Sequence, residues 1–516
     1  LIITSMGMSM LYLPFFLMGH ATALIASFEA TGYTYPYFAF MLLGSVFYLT
    51  LGLWFLRKLL LNYFHDGVVA ATLFIIFFGT NLLWYSTFEA TMSHAYSFAL
   101  FAAFAWFTKQ WHAKPCWRYS ILTGLIFGLI TVVRPSNAVI ALFFVFFSIS
   151  KAGEIIPKIS FFLRNSKYLI VLVITAIIVL VPQLIYWKYI TGLWIVNSYG
   201  DKGIFHFDNP QIFNGLFGYR KGLFVYAPVI LVAFLSLPAL LKDNKASKYF
   251  MPIIVFSCVN IYIILSWWAW WYGGSFGLRP LIESYALLAI PMAAGISYLW
   301  ARRNLIRIPA LSVVFLLTSY GLFANIQYYY GAIHWDSMTK EAFWDSFGRL
   351  KPSANFQNLI SPPDYEYALA GKPERNKHQR SGVFSGENWQ EKSDVTSRNI
   401  VVGDNLEFFE LYNATHNHIG QNPILEVKLF ADNKNDIPHD LLLAFTISDS
   451  LNNIQFYRDI KVRAGMIEID GTDLLTWTLP IDHSMSAKSN VKLFFWSQGL
   501  KGFTADSVFV GLPDFH

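Results

Sequence analysis

Apolar residues run in long, nearly unbroken stretches over the first two-thirds of the chain, then give way to short runs that alternate with polar positions. A helix needs on the order of 20 apolar residues to cross the hydrocarbon core of a bilayer. Stretches approaching that length fall at 3–27, 36–56, 67–86, 94–108, 119–133, 136–150, 168–187, 223–241, 249–266, 281–300 and 308–330. They predict a polytopic α-helical membrane domain over 1–330 with about eleven spans. From residue 331 the pattern turns polar. Met338, Phe343, Trp344, Phe347 and Leu350 space an amphipathic helix suited to lie on a membrane surface. "SPPDYEYALAGKPERNKHQRSG" (361–382) then reads as a linker, so 331–380 connects two domains. Over 381–516, "LEVKLF", "LLLAFTIS", "IQFYRDIKV", "LLTWTLPI", "VKLFFWSQ" and "DSVFVGL" are separated by Asp, Asn and Gly turns. This pattern predicts a C-terminal β-sandwich-like domain.

Composition agrees with that division. The 516 residues are 55% hydrophobic, 18% aromatic and only 14% charged, and the mean hydropathy is +0.43, which excludes an ordinary soluble globule. The net charge of +6 would suit a nucleic-acid binder if it were massed on one face. Instead the cations sit in short clusters, Arg57-Lys58, Lys109/Lys114/Arg118, Lys151/Lys158/Arg164/Lys167, Lys242/Lys245/Lys248 and Arg302/Arg303/Arg307, in every second loop. The positive-inside rule assigns those loops to the cytoplasm and the others, with the β-domain, to the opposite side. Cys116 and Cys258 are too far apart to suggest a metal knuckle or a disulfide frame. The chain opens at Leu1 in apolar sequence with neither an initiator methionine nor a basic leader, as expected of a fragment that lacks its natural N-terminus.

Outward loops should be poor in Lys and Arg, so Arg134, Lys188, Lys202, Arg220, Lys221 and Arg279 call for a reason. Arg134, Arg220 with Lys221, and Arg279 sit where an apolar span meets an outward loop. A lipid-linked phosphate would partner such cations; the alternatives are snorkelling to headgroups or ion pairs with Glu283 or Glu89. The carboxylates and histidines at this level are Glu29, Glu89, His94, Asp201, His206, Asp208 and Glu283. Glu89 and His94 could face one cavity as base and hydrogen-bond partner, or serve as a helix cap and an interhelical bond. The long segment 191–222 suggests a re-entrant loop or surface helices over a cavity. "WWAWWYGGSFGLRP" (267–280) adds Trp267, Trp268, Trp270, Trp271 and Tyr272 to three glycines and Arg279. Aromatic-belt anchoring explains some of these rings, but a sugar face on an indole and a phosphate on Arg279 would use the glycines as well. No cluster of ligands points to a metal, although a divalent ion is compatible with the chemistry.

"GMSMLYLPFFLMGH", "FGTNLLWYSTFEATMSHAYSF", "GLITVVRPSN", "GLFGYRKGLFVYAP" and "WWYGGSFGLRP" together resemble the integral-membrane glycosyltransferases of the GT-C superfamily over residues 5–330. The resemblance is to protein mannosyltransferases, the aminoarabinose lipid A transferase and Bacteroidetes-type members with an exported β-domain. It implies a polyprenyl-phosphate sugar donor, a glycan, lipid or protein acceptor, and transfer at the outer face of a bacterial inner membrane with inversion. It places an essential Asp or Glu in a first outward loop, upstream of Leu1, and leaves Glu89 and His94 as candidates within the chain. By motif position it assigns Arg220, Lys221 and Arg279 to donor phosphate; the residues themselves add Arg134 to that set and offer Trp267, Trp270, Trp271 and Tyr272 as candidates for sugar or acceptor. A transporter or flippase should instead show two related halves with broken helices, and none is visible. A membrane-anchored glycan-binding protein would place its site in the β-domain, where Trp389, Trp477 and Trp496 are either a sugar platform or core.

Overall fold

Some of the prolines and glycines within the apolar runs end helices, as at Gly79 and Pro228, whereas Pro14, Pro182, Pro291 and Pro309 lie inside them. The computed structural model describes residues 5–200, 203–363, 365–372, 381–382, 394–402, 408–416, 424–431, 437–438, 440–449, 454–469, 472–480, 489–497 and 503–511. The chain divides into a helical unit, Leu1–Ser361, and a β unit, Pro362–His516.

In the helical unit, α1 (Met6–Ile25) packs on α2 (Tyr35–Leu60). The run 67–86 breaks at Gly79 into α3 (Asp66–Phe78) and α4 (Leu82–Thr87). After α5 (Ser93–Ala113) and α6 (Trp117–Val133), Pro135 opens a 3₁₀ turn, Pro135–Ile140, that leads into α7 (Ala141–Phe146). α8 (Ile155–Arg164) and α9 (Ser166–Thr191) follow, then the short α10 (Ile212–Phe217). The run 223–241 is cut before Pro228, and at Ser236 ahead of Pro238, into α11 (Leu223–Tyr226), α12 (Val229–Leu235) and α13 (Leu237–Leu240). Two 3₁₀ turns, Ser247–Tyr249 and Arg279–Ser284, lead into α14 (Phe250–Leu265) and α15 (Tyr285–Trp300). The long α16 (Asn304–Tyr329) and the short α17 (Lys340–Ser346) come after them.

Among the described residues, six helices are long and apolar enough to cross a membrane: α1, α2, α9, α14 and α15 with their leading turns, and α16. The expectation of about eleven is therefore too high. The runs 67–86, 136–150 and 223–241 are broken as described, α6 has 17 residues, and α5 carries Ser93, His94, Ser97, Thr108, Lys109 and Gln110 along its length. The outer helices present bare apolar faces. Ile174, Ile177 and Ile178 of α9 and Phe315 and Leu316 of α16 are exposed, surface that lipid solvates and water would penalise by roughly 25 cal/mol per Å². α15 is enclosed, with Tyr285 through Ala293 buried without a break. Gly124 and Gly128 bring α6 against α9: a Cβ at Gly124 would lie 2.3 Å from the Leu172 carbonyl oxygen, and one at Gly128 2.8 Å from that of Ala176. A pair of glycines four apart on one helix face is a device for close helix packing.

α17 realises part of the amphipathic segment, and it belongs to the helical unit. Its inner face buries Ala342 and Phe343, the latter against Tyr219 and Tyr226, while Trp344 and Phe347 are exposed.

In the β unit, two five-stranded sheets form from β1 (Ser381–Gly382), β2 (Asp394–Val402), β3 (Phe408–His416), β4 (Ile424–Ala431), β5 (Leu441–Asp449), β6 (Ile454–Lys461), β7 (Ile467–Ile469), β8 (Thr472–Pro480), β9 (Ser489–Ser497) and β10 (Phe503–Gly511). The orders are β1-β3-β9-β5-β6 and β2-β10-β4-β8-β7. Val491, Leu493 and Phe495 alternate inward along β9, and Val427 and Leu429 do so along β4. Side chains from both sheets share one core, as in a sandwich.

Candidate functional site

The segment between α14 and α15 takes its shape from three left-handed backbone positions, Tyr272 (φ 57°), Gly273 (65°) and Gly277 (59°). Tyr272 carries a Cβ and so holds this conformation at a cost of order 1 kcal/mol. Its hydroxyl is tied to the Ile264 carbonyl at 2.8 Å. Burial pushes the Tyr272 phenol upward from its ordinary pKa, so it stays a neutral donor.

Hydrogen bonds to its backbone fix the loop. The Asn81 side-chain amide donates to the Phe276 carbonyl at 2.9 Å and its oxygen accepts from the Tyr285 hydroxyl at 2.9 Å. The Phe276 N–H donates to the Tyr85 hydroxyl at 2.9 Å, and the Ser275 N–H to the Trp335 carbonyl at 2.9 Å. Asn81 and Tyr85 do not stand out in the sequence; their one signal is an amide in the apolar run "FGTNLLWY".

The tryptophans do not form an open shelf. Trp270 and Trp271, expected as sugar or acceptor contacts, are 5% and 0% exposed and meet edge to face. Trp267 is half-buried and packs on Tyr199 and Phe205. These belong to the segment 191–222, where the chain after α9 runs irregularly beside residues 265–268 before α10. Asp201 and Lys202 lie outside the described residues.

The four candidate cations have different surroundings. Arg220 is buried, and its Nη1 donates to the carbonyls of Asp336, at 2.7 Å, and Ser361, at 2.9 Å. Lys221 is buried and donates to the carbonyls of Ser275 and Trp335. Burial pushes the Lys221 ammonium well below its ordinary pKa, against the pull of the nearby Asp336 carboxylate. Arg134, at the end of α6, donates from Nη1 to Oε1 of Glu283 at 3.0 Å. That same oxygen lies 3.2 Å from His94 Nδ1.

Arg279 is half-buried and meets neutral groups: its Nη2 donates to the Tyr272 carbonyl at 2.8 Å, and its Nη1 to the Gly274 carbonyl at 3.3 Å and the Met92 sulfur at 3.2 Å. Among the described residues it forms no ion pair. The contact with Met92 joins it to the turn Phe88–Met92, where Glu89 Oε1 accepts from Trp84 Nε1 at 2.9 Å. Glu89 and Arg279 both act electrostatically on Tyr85, Lys221 and Tyr328, so they share one neighbourhood. Glu89 and His94 do not pair with each other here; His94 faces Glu283.

Two carboxylate oxygens, Oε2 of Glu89 and Oε2 of Glu283, are enclosed without a hydrogen-bond partner. Glu283, from the 3₁₀ turn ahead of α15, is 1% exposed, so its full charge is sheltered beside one guanidinium and one imidazole. Among the described residues no group of three or more His, Cys, Asp or Glu side chains is placed to hold a metal ion. In the β unit, Trp477 is core and Trp496 stacks on Phe408, while Trp389 lies outside the described residues.

No protein-family model matches this chain, and no curated protein matches it.

Proposed function

We propose that this chain is an integral-membrane glycosyltransferase that moves a sugar from a polyprenyl-phosphate donor to a cell-envelope acceptor, with the basic clusters facing the cytoplasm of a bacterial inner membrane and the site facing away from it. The observation that carries this reading is Arg279: a half-buried guanidinium that, among the described residues, forms no ion pair, cradled by the backbone carbonyls of a glycine-rich loop at the start of a candidate span. An isolated charge at that depth is costly until an anion neutralises it. Phosphate suits it, because a guanidinium gives two parallel hydrogen bonds to phosphate oxygens.

In the displacement, the acceptor hydroxyl oxygen bonds to the anomeric carbon while the bond from that carbon to the phosphate oxygen breaks. The electron pair leaves on the phosphate, where Arg279 stabilises it. The hydroxyl proton goes to a carboxylate, and Glu89, with Oε2 unpartnered, is the acceptor we assign among the described residues. Arg220 and Lys221 spend donors on the carbonyls of Ser275, Trp335, Asp336 and Ser361; we assign them to bracing the loop, with their charge adding to the local field.

The test is release of polyprenyl phosphate from synthetic polyprenyl-phosphate sugars by the full chain in detergent, with an acceptor extract supplied. Release dependent on the folded protein supports the reading. Tight donor binding without any release, across a panel of sugars, would replace the enzyme with a carrier of lipid-linked glycans.

A further inference from the structure

α5 begins beside the candidate site, at His94, and ends at a second concentration of charge. Lys109 lies 15 residues beyond His94 on the same helix, which is about 22 Å at 1.5 Å per residue. Three lysines from three separate elements share aromatic rings there: Lys58 in the last turn of α2, Lys109 near the end of α5, and Lys248 in the turn before α14.

Aromatic rings hold them together. Lys58 Nζ lies 4.9 Å from the Trp54 ring centre and 4.8 Å from that of Trp106. Lys109 Nζ shares the Trp106 ring at 4.8 Å and lies 5.8 Å from Tyr63. Lys248 Nζ shares the Tyr63 ring at 5.0 Å. Tyr63 is fixed in turn by a 3.1 Å hydrogen bond between its hydroxyl and that of Tyr249. Lys109 also donates to the Asn62 side-chain oxygen at 2.6 Å. Among the described residues none of the three forms an ion pair; the neighbouring acid, Asp66, is taken by Arg57 at 3.0 Å.

Helix ends explain part of this placement. The C-termini of α2 and α5 each present about half a negative charge. Against three ammonium groups that leaves about two positive charges uncompensated, at a place where like charges would otherwise spread apart. Burial together with the Lys248 charge lowers Lys109 to about 8, as expected where cations crowd without an anion.

We infer that Lys58, Lys109 and Lys248 form a binding site for a phosphate group, carried by an anionic lipid headgroup or by a free phosphate compound. A phosphate supplies one to two negative charges, and its several oxygens can be shared by three point-charge donors. The rings hold the donors without neutralising them.

The experiment is thermal unfolding of the full chain in detergent with added phosphatidylglycerol, phosphatidylcholine or inorganic phosphate, at fixed ionic strength. Wild type should gain roughly 3 °C or more from phosphatidylglycerol or from inorganic phosphate over phosphatidylcholine. Response to the lipid alone identifies a headgroup, and response to inorganic phosphate identifies a free compound. Replacing all three, Lys58→Gln, Lys109→Gln and Lys248→Gln, should abolish the gain, and the same three changed to Arg should keep it. Lys58→Gln alone, at an exposed position that any fold tolerates, should lose part of it. Lys242→Gln with Lys245→Gln should lose nothing. Equal stabilisation of wild type and the triple Gln protein, or no preference by wild type for either anion, overturns the site.

Discussion

Glu283 accepts its 3.0 Å hydrogen bond from Arg134, separated from it by 149 residues, while Arg279, one turn before Glu283, turns its guanidinium to the carbonyls of Tyr272 and Gly274. Among the described residues, the cation near Glu283 in sequence therefore forms no ion pair, and the distant one is its partner. Removing one member of a buried pair leaves the other uncompensated, so Arg134→Ala should destabilise the helical unit by on the order of 3 kcal/mol. In double-mutant cycles read by unfolding in detergent, Arg134 with Glu283 should couple by about 1 kcal/mol or more, and Arg279 with Glu283 by clearly less. Stronger coupling of Arg279 than of Arg134 to Glu283 would reverse the assignment.

How far this was legible in the sequence differs by element. The apolar runs revealed α1, α2, α9, α14, α15 and α16 because uninterrupted length is itself the signal. They overcounted where a proline or glycine inside an apolar run ends a helix, as at Gly79 and Pro228, since hydropathy does not register a break. Arg134, Glu89, His94 and Arg279 stood out as polar residues at apolar boundaries. An ion pair with Glu283 was among the alternatives, but which cation makes it was not legible, because Arg134, His94 and Glu283 come from three elements and meet only through packing. The burial of Trp270 and Trp271 was not legible, because indoles serve sugar faces and helix packing alike. In the β unit, "LLLAFTIS" and "VKLFFWSQ" announced β5 and β9, whereas β2 and β3, with "DVTSRN" and "ELYNATH", lacked a sustained apolar alternation.

The loop geometry makes its own prediction. Gly277 has φ 59°, and a Cβ there would approach the Asn81 amide nitrogen at 3.3 Å. Gly277→Ala should cost about 1–2 kcal/mol in unfolding. Turnover should fall further than that loss alone explains, because the Asn81 bond to Phe276 aims the loop. An alanine protein with unchanged stability would mean the loop does not need this backbone.

Asp336 gives a pH dependence. Burial works to raise its carboxyl, and His334, Ser337 and the Lys221 charge outweigh it, holding the pKa below the ordinary 3.8. A depressed folded-state pKa contributes stability above the unfolded value and loses it as pH falls through the folded one. Wild type should therefore unfold at a higher temperature than Asp336→Asn at neutral pH, with the gap closing below about pH 4. A gap that persists unchanged to low pH would show that the carboxylate charge plays no part.

The cluster Arg302/Arg303/Arg307, directly ahead of the candidate span α16, predicts the side of the β unit. A reporter active only in the cytoplasm, fused after His516, should be inactive, and the same reporter placed in the loop at Arg302 should be active. Activity at His516 would invert the assignment of sides.

The central claim is that Arg279 neutralises the departing phosphate. The measurement is single-turnover release of polyprenyl phosphate by Arg279→Ala, Arg279→Lys and wild type, with unfolding midpoints taken on the same preparations. Loss of one such transition-state contact is expected to lower turnover about 100-fold, on the order of 3 kcal/mol, with the midpoint little changed and Arg279→Lys intermediate, since lysine keeps the charge but not the paired hydrogen bonds. Near-normal turnover by a folded Arg279→Ala protein would contradict the account.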